Sequence, residues 1–239
     1  MAIGITNLGV SSGTTDAAPD RKQTIDAVSY TIDSWDPPDT GIVLLVIMNG
    51  QNTVTDTAID ALTGNGDSWV QIHTATFGSE RRQTIYAAFG SALTTGTTVV
   101  NFGSDTQLFC YAWMCQITGA DESGTVAGAF GLEESSSGTA TSGSHNWSGS
   151  PANADSRPFY AVAHNANETV TAPGSLTQID ENTGAGPTMG VLTAWEDDGF
   201  TDPSDSFTWT TSTAFGILAL EILAADAGQT PPYANVTLR

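Results

Sequence analysis

The sequence predicts an all-β protein, a jelly-roll-like antiparallel β-sandwich with little helix. Short segments rich in Val, Ile, Thr, Phe and Trp recur along the chain, and Gly-rich or polar turns separate them. The 3.6-residue periodicity of an amphipathic helix is almost absent. With 239 residues, the chain is long enough for one large β-domain or two small ones.

Four segments carry the strongest strand signal, because apolar residues fill their odd and even positions alike. This pattern is typical of a central strand that is buried on both faces. The most apolar pair are residues 105–121, DTQLFCYAWMCQITGAD, and residues 212–226, whose STAFGILALEILAAD is an altered copy. Residues 41–49 (GIVLLVIMN) and 157–165 (RPFYAVAHN) form the second pair.

The other predicted elements are shorter and more polar. Residues 122–155 are rich in Ser, Gly, Thr and Asn, so they are interpreted either as a domain linker or as polar edge strands at 125–130 and 139–147. The remaining predictions are an outer strand at 24–33, strands at 68–77, 81–89 and 97–102, a turn at 64–67, and one short helical turn at 57–62.

Comparing the two halves of the chain predicts an internal duplication. Five blocks recur in the same order at nearly constant spacing, which chance does not easily produce. We therefore predict one pseudo-duplicated sandwich over residues 23–226, with halves at about 41–121 and 157–226, and with arms at 1–22 and 227–239. The blocks pair residues 44–55 with 160–171 (offset 116), 69–72 with 176–179 and 85–89 with 192–196 (both 107), 100–102 with 207–209 (107), and 116–121 with 221–226 (105).

The C-terminal arm contains Pro231 and Pro232, which stop any continuing strand ladder. Two interpretations of it stand side by side. The arm adds a strand to a neighbouring molecule, with Tyr233, Val236 and Leu238 as alternate anchors, or it is a frayed terminus.

The charge of the chain excludes two classes of partner. Against 26 acidic residues there are 6 basic ones, for a formal net charge of −20. Such a chain repels nucleic acid and anionic membrane surfaces. We also expect no membrane span and no secretion signal, since the apolar runs are short. The Asp-rich, Lys-poor balance fits either a protein that works in strong salt or an ordinary acidic extracellular surface.

The two cysteines, Cys110 and Cys115, stand five residues apart in one predicted strand. An odd spacing places their side chains on opposite faces, so they are predicted to pack in cores rather than to bridge each other.

Few residues suggest catalysis, and the chain is predicted not to be an enzyme. His73, His145 and His164 stand singly, without the H-E-x-x-H motif or the paired histidine spacing of a zinc site. The acidic segment beginning at Glu196 is the nearest approach to paired glycosidase carboxylates. A calcium loop of Asp197, Asp198, Asp202 and Asp205 is the sharper alternative, although the D-x-D-x-D-G pattern is missing and a solvated acidic loop explains the same residues. We therefore predict no cofactor.

Sugar contacts are the remaining candidate chemistry. Trp35 and Trp147 lie beside predicted turns, where an indole either stacks on a sugar ring or packs on the rim of the sandwich. Three N-x-S/T sequons, at Asn146, Asn167 and Asn235, are about as many as chance gives in a chain of this composition.

Four segments together resemble a jelly-roll-like β-sandwich domain of virion proteins from tailed phages and archaeal viruses: RRQTIYAAF (81–89), QLFCYAWMCQITGAD (107–121), RPFYAVAHNANETVT (157–171) and WTTSTAFGILALEI (209–222). The resemblance covers residues 41–225 and its motifs are structural strands.

This resemblance implies a capsid decoration, turret or fibre component on the virion surface, and the acidic composition suits a virus of a halophilic archaeon. Its implied partners are the major capsid protein or other virion proteins, and we expect a homo-oligomer with Arg81 and Arg82 at its interface. The alternative from another class is a carbohydrate-binding or adhesion module that recognises host-surface glycans.

Overall fold

The fold is known from a computed structural model that describes residues 2–8, 21–22, 27–50, 58–185, 188–200 and 203–225. These residues form antiparallel strands and two short 3-10 helices, Gly90–Ala92 and Val126–Ala129. The predicted all-β class is therefore confirmed. Within the described ranges, no helix has the length and apolar character that crossing a bilayer requires.

In the described part of the chain, fourteen strands follow in order: β1 (Gly4–Asn7), β2 (Arg21–Lys22), β3 (Ser29–Trp35), β4 (Ile42–Gly50), β5 (Ala61–Gly64), β6 (Val70–Phe77), β7 (Arg81–Phe89), β8 (Gly96–Asn101), β9 (Phe109–Thr118), β10 (Phe130–Asn146), β11 (Arg157–His164), β12 (Thr177–Ala185), β13 (Thr188–Trp195) and β14 (Ser204–Ile222).

Two large sheets form the centre of the molecule. The first central sheet has the order β1-β9-β4-β7-β6, with β2 also paired to β9, and the second has the order β10-β14-β11-β13-β12. A three-stranded sheet, β3-β8-β5, covers the outer face of the first. The chain therefore passes repeatedly between a central sheet and its cover, as in a jelly roll.

Both faces of the central strands are buried, as their apolar composition predicts. All nine residues of β4 are buried: Leu44 and Val46 pack towards the second central sheet, whereas Val43 and Leu45 pack towards the cover. Burying one such side chain stabilises the fold by roughly 1.5–3 kcal/mol. Cys115 and Cys110 of β9 likewise belong to opposite cores and form no disulfide.

The second central sheet is covered by continuations of its own strands. Strand β10 shifts register between Ala140 and Ser142, after which its residues 142–146 pair with residues 204–208 of β14. Thr171 bridges Thr208 on the other side of β14. These segments enclose a third core around Phe207, Trp209 and Phe215.

The two central sheets repeat one strand order, with β10, β14, β11, β13 and β12 in the places of β1, β9, β4, β7 and β6. Even an irregularity is repeated, because the register of β6 with β7 skips Ile72 and that of β12 with β13 skips Ile179. By strand register, Tyr160 is the counterpart of Leu45, and Thr193 is the counterpart of Ile85. The sequence blocks instead pair Leu44 with Tyr160 and Ile85 with Leu192, so the register differs from the sequence alignment by one residue in each block.

Several segments differ from the sequence-based predictions. Residues 133–138, which resemble a linker, lie in β10, whose single ladder partner leaves its polar side chains exposed at a sheet edge. Residues 61–62, part of the predicted helical turn, belong to β5. Within the predicted N-terminal arm, β1 pairs with β9 and Ile3 is buried in the central core. The turn at 64–67 is confirmed, with positive φ at Asn65 and Asp67.

Both ends of the described chain meet at Gly119. This residue has φ of +75°, and a Cβ there would collide with the carbonyl oxygen of Ala2. On its other side the N–H of Ala225 donates to the Gly119 carbonyl at 2.9 Å. One end of the molecule, the terminal end, therefore holds both Ala2 and Ala225.

Substituting Gly119→Ala should lower the free energy of unfolding by about 2 kcal/mol or more, because the left-handed backbone conformation and the close approach of Ala2 both disfavour a side chain. Urea unfolding followed by circular dichroism measures the change. Gly124→Ala is the matched control, since a Cβ at Gly124 meets nothing within 4 Å. Equal stability of the two variants would contradict this account of the terminal end.

Candidate functional site

Two polar features of the second half are candidates for function. One is a buried polar cluster beneath the outer layer formed by β10 and β14, and the other is an open depression beside Glu168. Among the described residues, no group of three or more His, Cys, Asp or Glu side chains is placed to hold a metal ion.

The buried polar cluster is built around Tyr160. The indole N–H of Trp147 donates to the Tyr160 hydroxyl at 2.7 Å, and this hydroxyl donates to Oδ2 of Asp205 at 2.5 Å. All three residues are buried. Burial, followed by the neighbouring Asp205 carboxylate, raises the pKa of Tyr160, so the hydroxyl keeps its proton and remains the donor.

His145 extends this cluster towards the sheet edge. Its Nδ1 lies 3.0 Å from the Ser136 hydroxyl and its Nε2 lies 3.3 Å from Oε2 of Glu134. Ser148 holds Glu134 in place, donating from both its backbone N–H and its hydroxyl. Ser136, His145 and Glu134 are connected in the order of the nucleophile, base and acid of a catalytic triad. His145, however, is only 1% exposed. In this arrangement a substrate cannot contact the imidazole.

The fold does not require these buried polar residues. The strand registers identify the residues of the first half that occupy the equivalent positions. Leu45 corresponds to Tyr160, Ile32 to His145, Ala88 to the buried Glu196, and Thr98 to Asp205. Burying a polar group is costly unless it is fully hydrogen-bonded. The first half thus shows that mainly apolar packing suffices at these positions, and the polar cluster is peculiar to the second half.

The open depression has a volume of about 340 Å³. Two segments form its walls, residues 168–171 and residues 208–210. Between them, backbone hydrogen bonds join Thr171 and Thr208 in both directions, at 2.9 and 3.0 Å. The lining residues are Glu168, Thr169, Thr171, Thr208, Trp209 and Thr210.

Glu168 supplies the charge in this depression. Its Oε2 accepts the backbone N–H groups of Thr210 at 2.7 Å and Thr211 at 2.9 Å, and its Oε1 accepts the hydroxyl of Thr211. These hydrogen bonds, led by the Thr211 hydroxyl, lower the pKa of Glu168 to about 2. The group is therefore a carboxylate at neutral pH, with its orientation fixed.

Trp209 is one of the residues that line the depression. Its indole stacks on His164, with ring centroids 4.8 Å apart, and its N–H donates to the Ala140 carbonyl at 2.9 Å. Phe215 packs on it at 5.3 Å. The ring is therefore held on several sides, and only a small part of it reaches the surface.

The tryptophans predicted to contact sugars occupy equivalent rim positions. In the first half, Trp35 pairs with Gly96. In the second half, the backbone N–H of Trp147 donates to the carbonyl oxygen of Pro203, at the position equivalent to Gly96. They are 9% and 8% exposed, so neither offers an open ring face to a sugar.

The two arginines predicted at a subunit interface make contacts within the chain. Arg81 donates to Oδ1 of Asn165 at 3.0 Å, a hydrogen bond that links the two halves. Its guanidinium also lies over the ring of Phe109, 4.5 Å from the ring centroid. Arg82 donates to the hydroxyl of Thr74 at 3.2 Å.

The structure does not gather the predicted calcium ligands into one loop. Asp197 and Asp198 are exposed, whereas Asp205 is buried in β14 against Tyr160. Asp202 lies outside the described residues, as do the three arm anchors Tyr233, Val236 and Leu238.

Comparison with known proteins identifies no relative. No family model matches the chain, and neither the curated proteins nor the solved structures include a match.

Tyr160→Phe should lower the free energy of unfolding by about 2 kcal/mol, because the buried N–H of Trp147 loses its acceptor. Urea unfolding at neutral pH measures the loss. The matched control is the double variant Tyr160→Leu, Asp205→Thr, which installs the side chains of the first half. There Thr98 accepts from Trp35 at 3.4 Å, so the double variant should recover much of the loss. A double variant less stable than Tyr160→Phe would contradict the equivalence of these positions.

Acid should destabilise the fold below about pH 6.5. Burial is the main cause that lowers the pKa of His73, His145 and His164 below 6.5, and these are the three histidines of the chain. The unfolded chain therefore binds more protons, so the free energy of unfolding falls as the pH drops through this range. Urea unfolding between pH 7.5 and 5.5 should show this slope, and His145→Gln should reduce it. An unchanged slope in His145→Gln would rule out a contribution from His145.

Proposed function

We propose that the chain is a non-enzymatic structural protein of a virion surface, acting as a capsid decoration or turret component. The observation that carries the proposal is the meeting of Ala2 and Ala225 at Gly119. Residues 226–239 continue from this terminal end, and we assign to them the attachment to the major capsid protein or another virion protein.

The opposite end of the molecule is directed away from the attachment. Along β14, Ile222 lies beside the terminal end and Phe215 lies seven residues earlier, a separation of about 23 Å in an extended strand. His164 pairs with Phe215, so the depression beside Glu168 belongs to the far end. An attached molecule would therefore display the depression outward.

The surface chemistry supports a role in a virion assembly. With a net charge of −20, copies of the chain repel one another unless salt screens them, which suits the particles of a halophilic host. Since Arg81 and Arg82 are engaged within the chain, we assign the contacts of the proposed homo-oligomer to the arm residues Tyr233, Val236 and Leu238.

A second candidate function, adhesion to a carbohydrate, is favoured by the exposed depression at the far end. It does not compete with the first, because one molecule can be attached by its terminal end while it binds a ligand at the other.

The test is particle association. Purified virions of the virus that encodes the chain should contain the protein, and cryo-EM density should place its terminal end against the capsid. Deleting residues 226–239 should remove the protein from the particles, with circular dichroism verifying that the shortened chain is folded; Gly124→Ala is the control for a folded, incorporated chain. Absence of the intact protein from purified particles, or density with the far end against the capsid, would refute the proposal.

A further inference from the structure

The depression beside Glu168 has the features of a ligand site, and we infer that its ligand is a neutral saccharide bound by its hydroxyl groups. This inference rests on the second candidate function, carbohydrate adhesion, for which it names the class of ligand, and it is independent of the virion role.

The polar groups of the depression suit hydroxyl ligands. Four threonines line it, and all four are exposed. Each hydroxyl both donates and accepts, as sugar hydroxyls do. Glu168 adds an acceptor: a carboxylate offers about four lone-pair positions, of which Thr210 and Thr211 take three through their backbone N–H groups and the Thr211 hydroxyl. The lining threonines are Thr169, Thr171, Thr208 and Thr210.

The charge distribution disfavours ionic ligands. An anionic ligand would meet the Glu168 carboxylate on a chain of net charge −20. A calcium ion needs six to eight oxygen ligands, whereas Glu168 is the single carboxylate in the lining and three donors already point at its oxygens. A neutral ligand that offers hydroxyl donors avoids both conflicts.

The walls of the depression are held in place before a ligand arrives. The paired backbone bonds between Thr171 and Thr208 fix their separation, and the bonds of Glu168 fix the adjoining corner. Trp209 is clamped between His164 and Phe215. A site formed in advance loses little conformational entropy on binding, which raises the affinity available to a ligand as small as a sugar.

The first half has a different surface at the equivalent position. The register makes Asn101 the counterpart of Thr208 and Ala61 the counterpart of Thr171. Asp60 also bonds through its N–H to the Asn101 carbonyl at 2.8 Å, so the segment leading into β5 lies along this edge. Because the repeat preserves the strands but not the threonine at this wall, the depression is not a consequence of the fold itself.

The inference is tested by saturation-transfer NMR on the intact chain with methyl glycosides of glucose, galactose and mannose, up to about 10 mM so that sites with millimolar dissociation constants are filled. At least one glycoside should receive saturation. Its affinity should fall tenfold or more in Glu168→Gln and measurably in Thr208→Val, and it should be unchanged in Glu133→Gln, which alters an exposed carboxylate of β10.

The opposing results are equally specific. The inference is overturned if none of the glycosides binds the folded wild-type chain, if both depression variants bind like wild type, or if a lysine-containing tripeptide binds at Glu168 and the glycosides do not. Thr208→Val guards against local unfolding of Glu168→Gln, since its side chain is exposed. Particle association of Glu168→Gln should stay at the wild-type level, which separates failure of this inference from failure of the virion role.

Discussion

The face-to-face packing of the two central sheets is the constraint on which the rest of the structure depends. Each sheet presents apolar side chains to the other, with Leu44 and Val46 on one side and Phe159 and Leu220 on the other. Each sheet also buries its opposite face, beneath β3-β8-β5 in the first half and beneath the bent continuations of β10 and β14 in the second. The described residues therefore form three cores, and each central sheet contributes to two of them. The central strands also bury polar side chains that are hydrogen-bonded, as Thr193 is to Trp113 and Tyr160 is to Asp205.

Much of this architecture could be predicted from the sequence, because doubly buried strands have an unmistakable composition. The bounds of β7 and nearly those of β4 follow from their apolar runs. The same property hides the register, since a strand that is apolar on both faces looks alike after a shift of one residue. That is why the counterparts of Leu45 and Ile85 emerge only from the ladders. Strand β10 is less predictable from the sequence, because a polar edge strand of Ser, Gly and Thr has the composition of a linker.

The candidate sites could be predicted only poorly. Trp35 and Trp147 stand beside turns in the sequence, yet both pack inward as equivalent rim residues. Glu168 and Trp209 lie 41 residues apart and meet because Thr171 bridges Thr208, a contact that no local pattern signals. Likewise, Asp205 belongs by sequence to an acidic segment, whereas its alternation in β14 turns it inward to Tyr160. Side-chain direction at strand ends, rather than residue type, separates the polar groups that reach solvent from those that do not.

The meeting of Ala2 and Ala225 at Gly119 also has a mechanical consequence. A load applied at Ala2 and Ala225 enters and leaves the described fold at one point, so it does not stretch the strand ladders between the two ends. The packed sheets would instead rotate together about Gly119 as a rigid body. Small rotations about this point would carry Glu168, at the far end, through an arc, which would enlarge the region that the depression samples without any deformation of the fold.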